Sequence, residues 1–383
     1  MKPHGVNCQF VGFVENQNDF FISESQFEAY IDITNKKTNE TVTIPMRSFV
    51  TNFLTALHKL FSGGGGVLTK KSSVEFSGSA GRYAGLHIGA NSTPVNLSDT
   101  SLLNKINVSN LLLSNNTVYN PYVTYENNAP VLESIIRRMF TNNTTGSLSI
   151  GEIGLFIKAL ENGNYASNSN VNMLSRDIFG QPSEGLPGLI TLPSYSDIMF
   201  EFKFRIQLPS NGSGGLNLNF LKLVNNLYFK GNLNNPSSPI VNYQNQAITN
   251  FSYATGASAA TTSFAYLLGT NLQKYIGIVV GILDDDNEPT TVNPDEKTFQ
   301  INDNLSYGNN EITTITYPQT NTAQFLIQRL ITNNTSNNIR ISRVGLIMRG
   351  NGSGTSLNNQ QAFIAINRIY PNVTLVPGQS YRA

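Results

Sequence analysis

The sequence predicts a mainly β protein: two related antiparallel β-sandwich domains, a few short helices and an N-terminal β-hairpin arm. Three observations carry this expectation. Residues 135–156, IIRRMFTNNTTGSLSIGEIGLF, align without a gap on residues 326–347, LIQRLITNNTSNNIRISRVGLI. Nine of the 22 positions are identical: Ile136/Ile327, Arg138/Arg329, Thr141–Thr144 against Thr332–Thr335, Ile150/Ile341, Gly154/Gly345 and Leu155/Leu346. Short apolar runs alternate with Asn, Gly, Pro and Ser turns, as in sheet proteins. Finally, 383 residues suit about two domains.

The repeat extends beyond its best-matched segment, so it reads as a copied domain. Upstream, His87-Ile88-Gly89 with Pro94 and Asp99 matches Val279-Val280-Gly281 with Pro289 and Asp295. Downstream, Leu174-x-Arg176-x-Ile178 matches Ile366-x-Arg368-x-Tyr370, and Ile190-Thr191-Leu192-Pro193 echoes Val373-Thr374-Leu375-Val376-Pro377. The lead-ins Asn52-Phe53-Leu54 and Asn219-Phe220-Leu221 recur at a different spacing, so the second copy carries the longer insertion.

Taken in order, residues 1–48 read as strand, turn and strand, a hairpin arm built on Phe10–Val14, Tyr30–Ile33 and Thr41–Ile44. Residues 47–61 place apolar side chains at helical spacing and stop at four glycines, 63–66. The first sandwich spans 49–208. Its last strand, MFEFKFRIQL, puts Phe200, Phe202, Phe204 and Ile206 on one face and Glu201, Lys203 and Arg205 on the other, which leaves one side wet. Pro209–Gly215 is a flexible linker by composition, set at 209–216, and the second sandwich spans 217–383. NLNNPSSPIVNYQN and ATGASAATTSF in the second copy read as surface loops.

Charged residues are 13% of the chain, against about 25% in ordinary domains, and the net charge is +1. Duplex binding needs clustered cations to displace counterions. The densest basic spots are only Lys70-Lys71 and Arg137-Arg138, so no nucleic-acid partner is expected. A surface rich in Asn and Thr suits permanent subunit contacts, because few ions must be desolvated there. One cysteine, Cys8, leaves no internal disulfide. Neither a signal-peptide core nor a span of roughly 18 apolar residues is seen, and the longest apolar stretch, Tyr275–Leu283, is strand-length. A soluble cytoplasmic product with no membrane partner is the expectation.

Catalytic chemistry is not indicated. His4, His58 and His87 lie on separate expected elements, and Gly78–Gly81 and Gly352–Gly354 are one residue short of a nucleophile elbow. The glycine tract at 63–66 lacks the Gly-Lys-Ser/Thr of a phosphate loop. Asp284-Asp285-Asp286-Asn287-Glu288 is the most site-like run, but a calcium loop would need Gly where Pro289 stands and Glu where Asp295 stands. No catalytic, cofactor or metal residue is therefore assigned. Arg176 and Arg368 recur, which argues for a structural task such as bridging carbonyls. A salt bridge from Arg176 to Glu152 is not expected, since Arg343 stands at the matching position.

The order Ile88-Gly89, Pro94, Asp99, Leu102, then Ile150-x-Glu152-Ile153-Gly154-Leu155-Phe156, then Leu174-x-Arg176-Asp177-x-Phe179, resembles a domain of tailed-bacteriophage structural proteins found in tail, neck and fibre-associated components. The first copy matches from Leu86 to Ile206, while the second departs, with Arg343 replacing the acid. The resemblance implies a non-enzymatic virion protein, assembled in the host cytoplasm. It would form a homo-oligomeric ring or collar in the tail or neck, with other virion proteins as neighbours. The alternative it leaves open is a tail-fibre or fibre-anchoring protein that binds or cleaves host glycan.

Overall fold

The computed structural model describes residues 6–12, 21–46, 53, 85–96, 98–107, 109–158, 171–179, 188–208, 214–224, 240–242, 244, 246, 275–282, 298–319, 322–349 and 361–383. The fold is mainly β, with every strand pair among the described residues antiparallel and a β-sandwich-type arrangement of sheets.

The first half contains β1 (Val6–Gly12), β2 (Phe21–Asn35), β3 (Thr41–Met46), β4 (Gly85–Gly89), β5 (Leu111–Leu113), β6 (Thr117–Glu126), β7 (Ala129–Asn142), β8 (Leu148–Ile150), β9 (Glu152–Lys158), β10 (Val171–Ile178), β11 (Ile190–Leu192) and β12 (Asp197–Gln207). A seven-stranded sheet runs β1-β2-β12-β7-β5, with β3 also on β2 and β6 also on β7. Facing it are a three-stranded sheet, β10-β9-β4, and the pair β11-β8.

β12 shows why these residues make this layer. Ile198, Phe200, Phe202, Phe204 and Ile206 alternate into the core, where they share a cluster with Leu86, Ile88, Ile153 and Leu155 of the facing sheet. Period-two burial is what a strand with one wet face requires. On that wet face Lys203 bonds Asp32 at 2.6 Å, while Arg137 pairs with Glu201 and Arg205 with Glu126. The hydrogen bond to Asp32 is also the main reason the Lys203 ammonium titrates above its usual range.

The N-terminal strands join the sheet: β2 lies between β1 and β12 and pairs along Gln26–Asn35 with Gln207–Ile198 of β12. Ala29, Ile31, Ile33 and Ile44 supply the reason: they are buried, so this hairpin brings an apolar face that the core takes up. The end of the glycine-rich junction is a strand. Gly214–Leu216 forms β13 and pairs with Asn367–Ala365. A Cβ on Gly214 would lie 2.1 Å from the Ile366 carbonyl oxygen, so glycine here permits close approach of two backbones. The apolar cluster continues through Leu208, Leu216, Leu218 and Ile364, which joins the two halves in one core.

After β13 come α1 (Leu218–Val224), β14 (Gly277–Ile282), β15 (Gln300–Ile301), β16 (Ser306–Ile312), β17 (Thr316–Gln319), β18 (Thr322–Gln324), β19 (Ile327–Thr332), β20 (Ile339–Arg349), β21 (Gln361–Leu375) and β22 (Ser380–Arg382). The sheets run β13-β21-β20-β14-β15, β16-β19-β22 and β17-β18. Asn217 starts α1 by accepting the Phe220 N–H on its side chain, a capping role. The helix expected over 47–61 lies outside the described residues, Phe53 excepted.

Candidate functional site

The matched segments of the two halves hold their backbones in the same way. Arg138 donates from Nε to the Ser114 carbonyl at 3.1 Å and from Nη1 to the Leu86 carbonyl at 2.8 Å. Arg329 donates from Nε to the Gly308 carbonyl at 2.8 Å and from Nη1 to the Ile278 and Ile276 carbonyls at 2.8 and 2.9 Å. Both guanidinium groups are buried, and that burial lowers each to about 10. Each also lies over an aromatic ring, Phe140 in one case and Tyr307 in the other.

The Thr-Asn-Asn-Thr turns match to the same degree. The Asn142 amide donates to the carbonyls of Gly146, Leu192 and Pro193, and the Asn333 amide to those of Asn337 and Leu375. In both turns the Asn side-chain oxygen accepts from the N–H and the hydroxyl of the threonine two residues on. A second asparagine, not noticed in the sequence, completes each frame. Asn116 accepts the Leu86 N–H at 3.2 Å and Asn310 accepts the Ile278 N–H at 3.0 Å. Gly85 and Gly277 precede those residues at φ of 87° and 81°, and a Cβ on either would collide with the asparagine. The signal was present, since a glycine and an asparagine recur in both halves, but neither lies within the aligned 22 residues.

Of the motif that runs from Ile88 to Phe179, the apolar residues Ile88, Ile150, Ile153, Leu155, Leu174 and Phe179 enter the main core, while its charged residues and glycines meet on the other face of β9. Glu152 accepts the N–H groups of Leu103 and Asn104 at 3.2 and 2.8 Å. Arg176, directly across from Gly154 on β10, bonds Glu152 at 2.7 Å and Asp99 at 2.8 Å and reaches the carbonyls of Thr93 and Pro94. The Arg176 and Glu152 side chains are fully buried. Gly89 is needed because a Cβ there would strike the Glu152 carboxylate at 2.4 Å, and Gly154 leaves room for Leu102, which packs with Phe156 and Met173. His87 meets the Phe156 ring edge-on at 5.3 Å, and Lys105, stacked over the same ring, is held below its ordinary range by burial and by Arg138.

This arrangement corrects the expectation about Arg176: the salt bridge to Glu152 exists and is the centre of the motif. A guanidinium fork satisfies two carboxylates and two carbonyls at once, so one side chain pins the 93–104 segment onto the sheet. The corresponding arginines are also not register partners. Arg176 faces Gly154, whereas Gly345 faces Ile366 and Arg368 faces Arg343. Bulges at Met173/Ser175 in one pair and at Ile341/Arg343 and Leu346/Ile347 in the other displace the register. The sequence comparison failed because a gapless motif cannot display a bulge.

Of the other segments singled out, the tract at 63–66, Lys70-Lys71, the 78–81 and 352–354 runs, the acidic run at 284–288, His4 and His58 lie outside the described residues. Among the described residues no group of three or more His, Cys, Asp or Glu is placed to hold a metal ion, and no helix is long and apolar enough to cross a membrane. Comparison with protein-family models, with curated proteins and with solved structures finds no match.

Proposed function

We propose that this chain is a non-enzymatic structural component of a tailed-phage virion, forming part of an oligomeric ring or collar in the tail or neck. Its partners are further copies of itself and neighbouring virion proteins, with assembly in the host cytoplasm. The observation that carries the reading is how the motif residues are used. Gly89, Pro94, Asp99, Leu102, Glu152, Gly154 and Arg176 all take part in one lock, centred on the buried Glu152–Arg176 pair, whose polar groups are matched to each other or to backbone. A catalytic site keeps polar groups for its substrate; this lock turns them inward and fixes the shape of a sheet.

The origin of the halves belongs to the same proposal: one domain was copied, and the copies kept the residues that fix backbone. The Arg138/Arg329, Asn142/Asn333 and Asn116/Asn310 bonds support it. In such a protein function is geometry, a rigid unit occupying a symmetric layer and passing load between layers.

Native mass spectrometry and electron microscopy of the purified chain test the assignment. A closed assembly of fixed copy number is the expected result. A monomer that hydrolyses or tightly binds a host-surface glycan would replace it with the fibre reading.

A further inference from the structure

Residues 90–104 leave the end of β4 and return to it. The Ala90 N–H donates to the Asn104 carbonyl at 2.8 Å, the Ile106 N–H to the Ile88 carbonyl at 3.2 Å, and Gly89 bridges Lys105, so the two ends of the loop are tied together. Inside it, Asn91 accepts the Thr93 N–H, Asn96 the Ser98 N–H and Asp99 the Asn96 N–H on their side-chain oxygens. Much of the loop's shape is therefore fixed by its own bonds. A surface loop with joined ends and internal bonds of this kind is a compact unit.

Its hold on the sheet is mostly polar and converges on two side chains. Among the described residues of the loop only Leu102 is buried, and with the partly buried Val95 it packs on Phe156 and Met173 in a small cluster apart from the main core. Arg176 binds Asp99 and the Thr93 and Pro94 carbonyls, and Glu152 accepts the Leu103 and Asn104 N–H groups. Water can take over each of these bonds if the loop lifts. Arg176 and Glu152 lie on the adjacent strands β10 and β9 and keep their own bond at 2.7 Å, so lifting strands neither charge. The ladders of β9 with β10 and with β4 use none of the loop residues.

We infer that residues 91–103 form a strap that lifts from the sheet as a unit while β4, β9 and β10 stay paired, uncovering Phe156, Met173 and the Glu152–Arg176 pair. Few buried apolar contacts, and bonds that water can replace, place a segment at the low end of local stability. The strands beneath stand at the other end, because Ile88, Ile153, Leu155 and Leu174 are packed into the main core. The strap makes this face of the sheet conditional: covered while Arg176 holds Asp99, open when it does not. The inference rests on these contacts and is independent of the virion reading.

Native-state hydrogen exchange of the full chain at low urea concentrations tests it, for the wild type and for Asp99→Asn and Leu102→Ala. In the wild type the Leu103 and Asn104 amides are expected to exchange at least about tenfold faster than the amides of β9, with little dependence on urea. Each variant should speed Leu103 and Asn104 by at least about threefold further and leave β9 unchanged. Strap amides that share the rate and the urea dependence of β9 overturn the inference, since the loop would then open only with the sandwich. A variant that speeds β9 as much as the strap overturns it too. So do wild-type Leu103 and Asn104 amides that exchange as in an unfolded chain, because the strap would then never be closed.

Discussion

The two halves share a frame but not a lock. Each has a buried arginine donating to strand carbonyls, an asparagine bracing the next strand, a left-handed glycine before it and an Asn-centred turn. Only the first pairs Glu152 with Arg176 across β9 and β10; in the second, Arg343 faces Arg368. β11 is separated from β10 in the first half, whereas β21 runs unbroken through both matching stretches, and β12 spans 11 residues where β22 spans 3. The difference teaches that the two halves share the residues that fix backbone, while the outer dressing of the same sheet differs in its charge and its strand lengths. Bonds to backbone serve any sequence of that shape; bonds between side chains serve one set of partners.

The widest separation between the halves should come from the lock. Arg176→Met strands the buried Glu152 carboxylate, and breaking one side of such a pair costs about 3–5 kcal/mol. Hydrogen exchange should report faster opening of 86–104 and 152–156 with 277–281 and 343–347 unchanged. Equal loss of protection in both halves would show that the two fold as one cooperative unit, and the contrast between them would collapse. The double variant Glu152→Leu/Arg176→Met, which removes both charges, should recover much of that loss in urea unfolding.

Next come the glycines, where the halves should agree. Gly85→Ala and Gly277→Ala each force a Cβ into an asparagine at left-handed φ, a cost of about 2–3 kcal/mol apiece. Unfolding free energies from urea titration that differ by more than about 2 kcal/mol, the whole spread of ordinary overpacking costs, would break the equivalence. The smallest effect belongs to the turns. Asn142→Ala and Asn333→Ala should each lose about 1–3 kcal/mol, the usual cost of leaving buried carbonyls unpaired. A larger loss for Asn142, whose amide reaches the carbonyls of Gly146, Leu192 and Pro193 where that of Asn333 reaches Asn337 and Leu375, sharpens the comparison.

Much of the fold was legible without coordinates. The alternation of MFEFKFRIQL gave β12 its two faces, and the TNNT pairs marked turns that prove to be held by their first asparagine. The hairpin pattern was legible at residues 21–46, but not its place in the sheet, because an exposed hairpin and an inserted one have the same local pattern; only pairing along β12 distinguishes them. The pairing of Gly214–Leu216 was hidden for a related reason, since glycine permits both freedom and close contact. The candidate site was visible as a list of residues but not as a lock. Asp99, Glu152 and Arg176 are separated by 53 and 24 positions, and nothing local says that they meet.

What the sequence determined by itself is period and punctuation: which residues can form strands, which face of each is apolar, and where the backbone must turn, because these follow from side-chain chemistry over a few neighbours. The tertiary structure alone decided register, partner strands and charge pairing. Those depend on bulges at Met173/Ser175 and Leu346/Ile347 and on the collapse of distant segments into a common core. A one-residue shift in a strand reverses every face, so the same motif became a salt-bridged lock in one half and a pair of opposed arginines in the other.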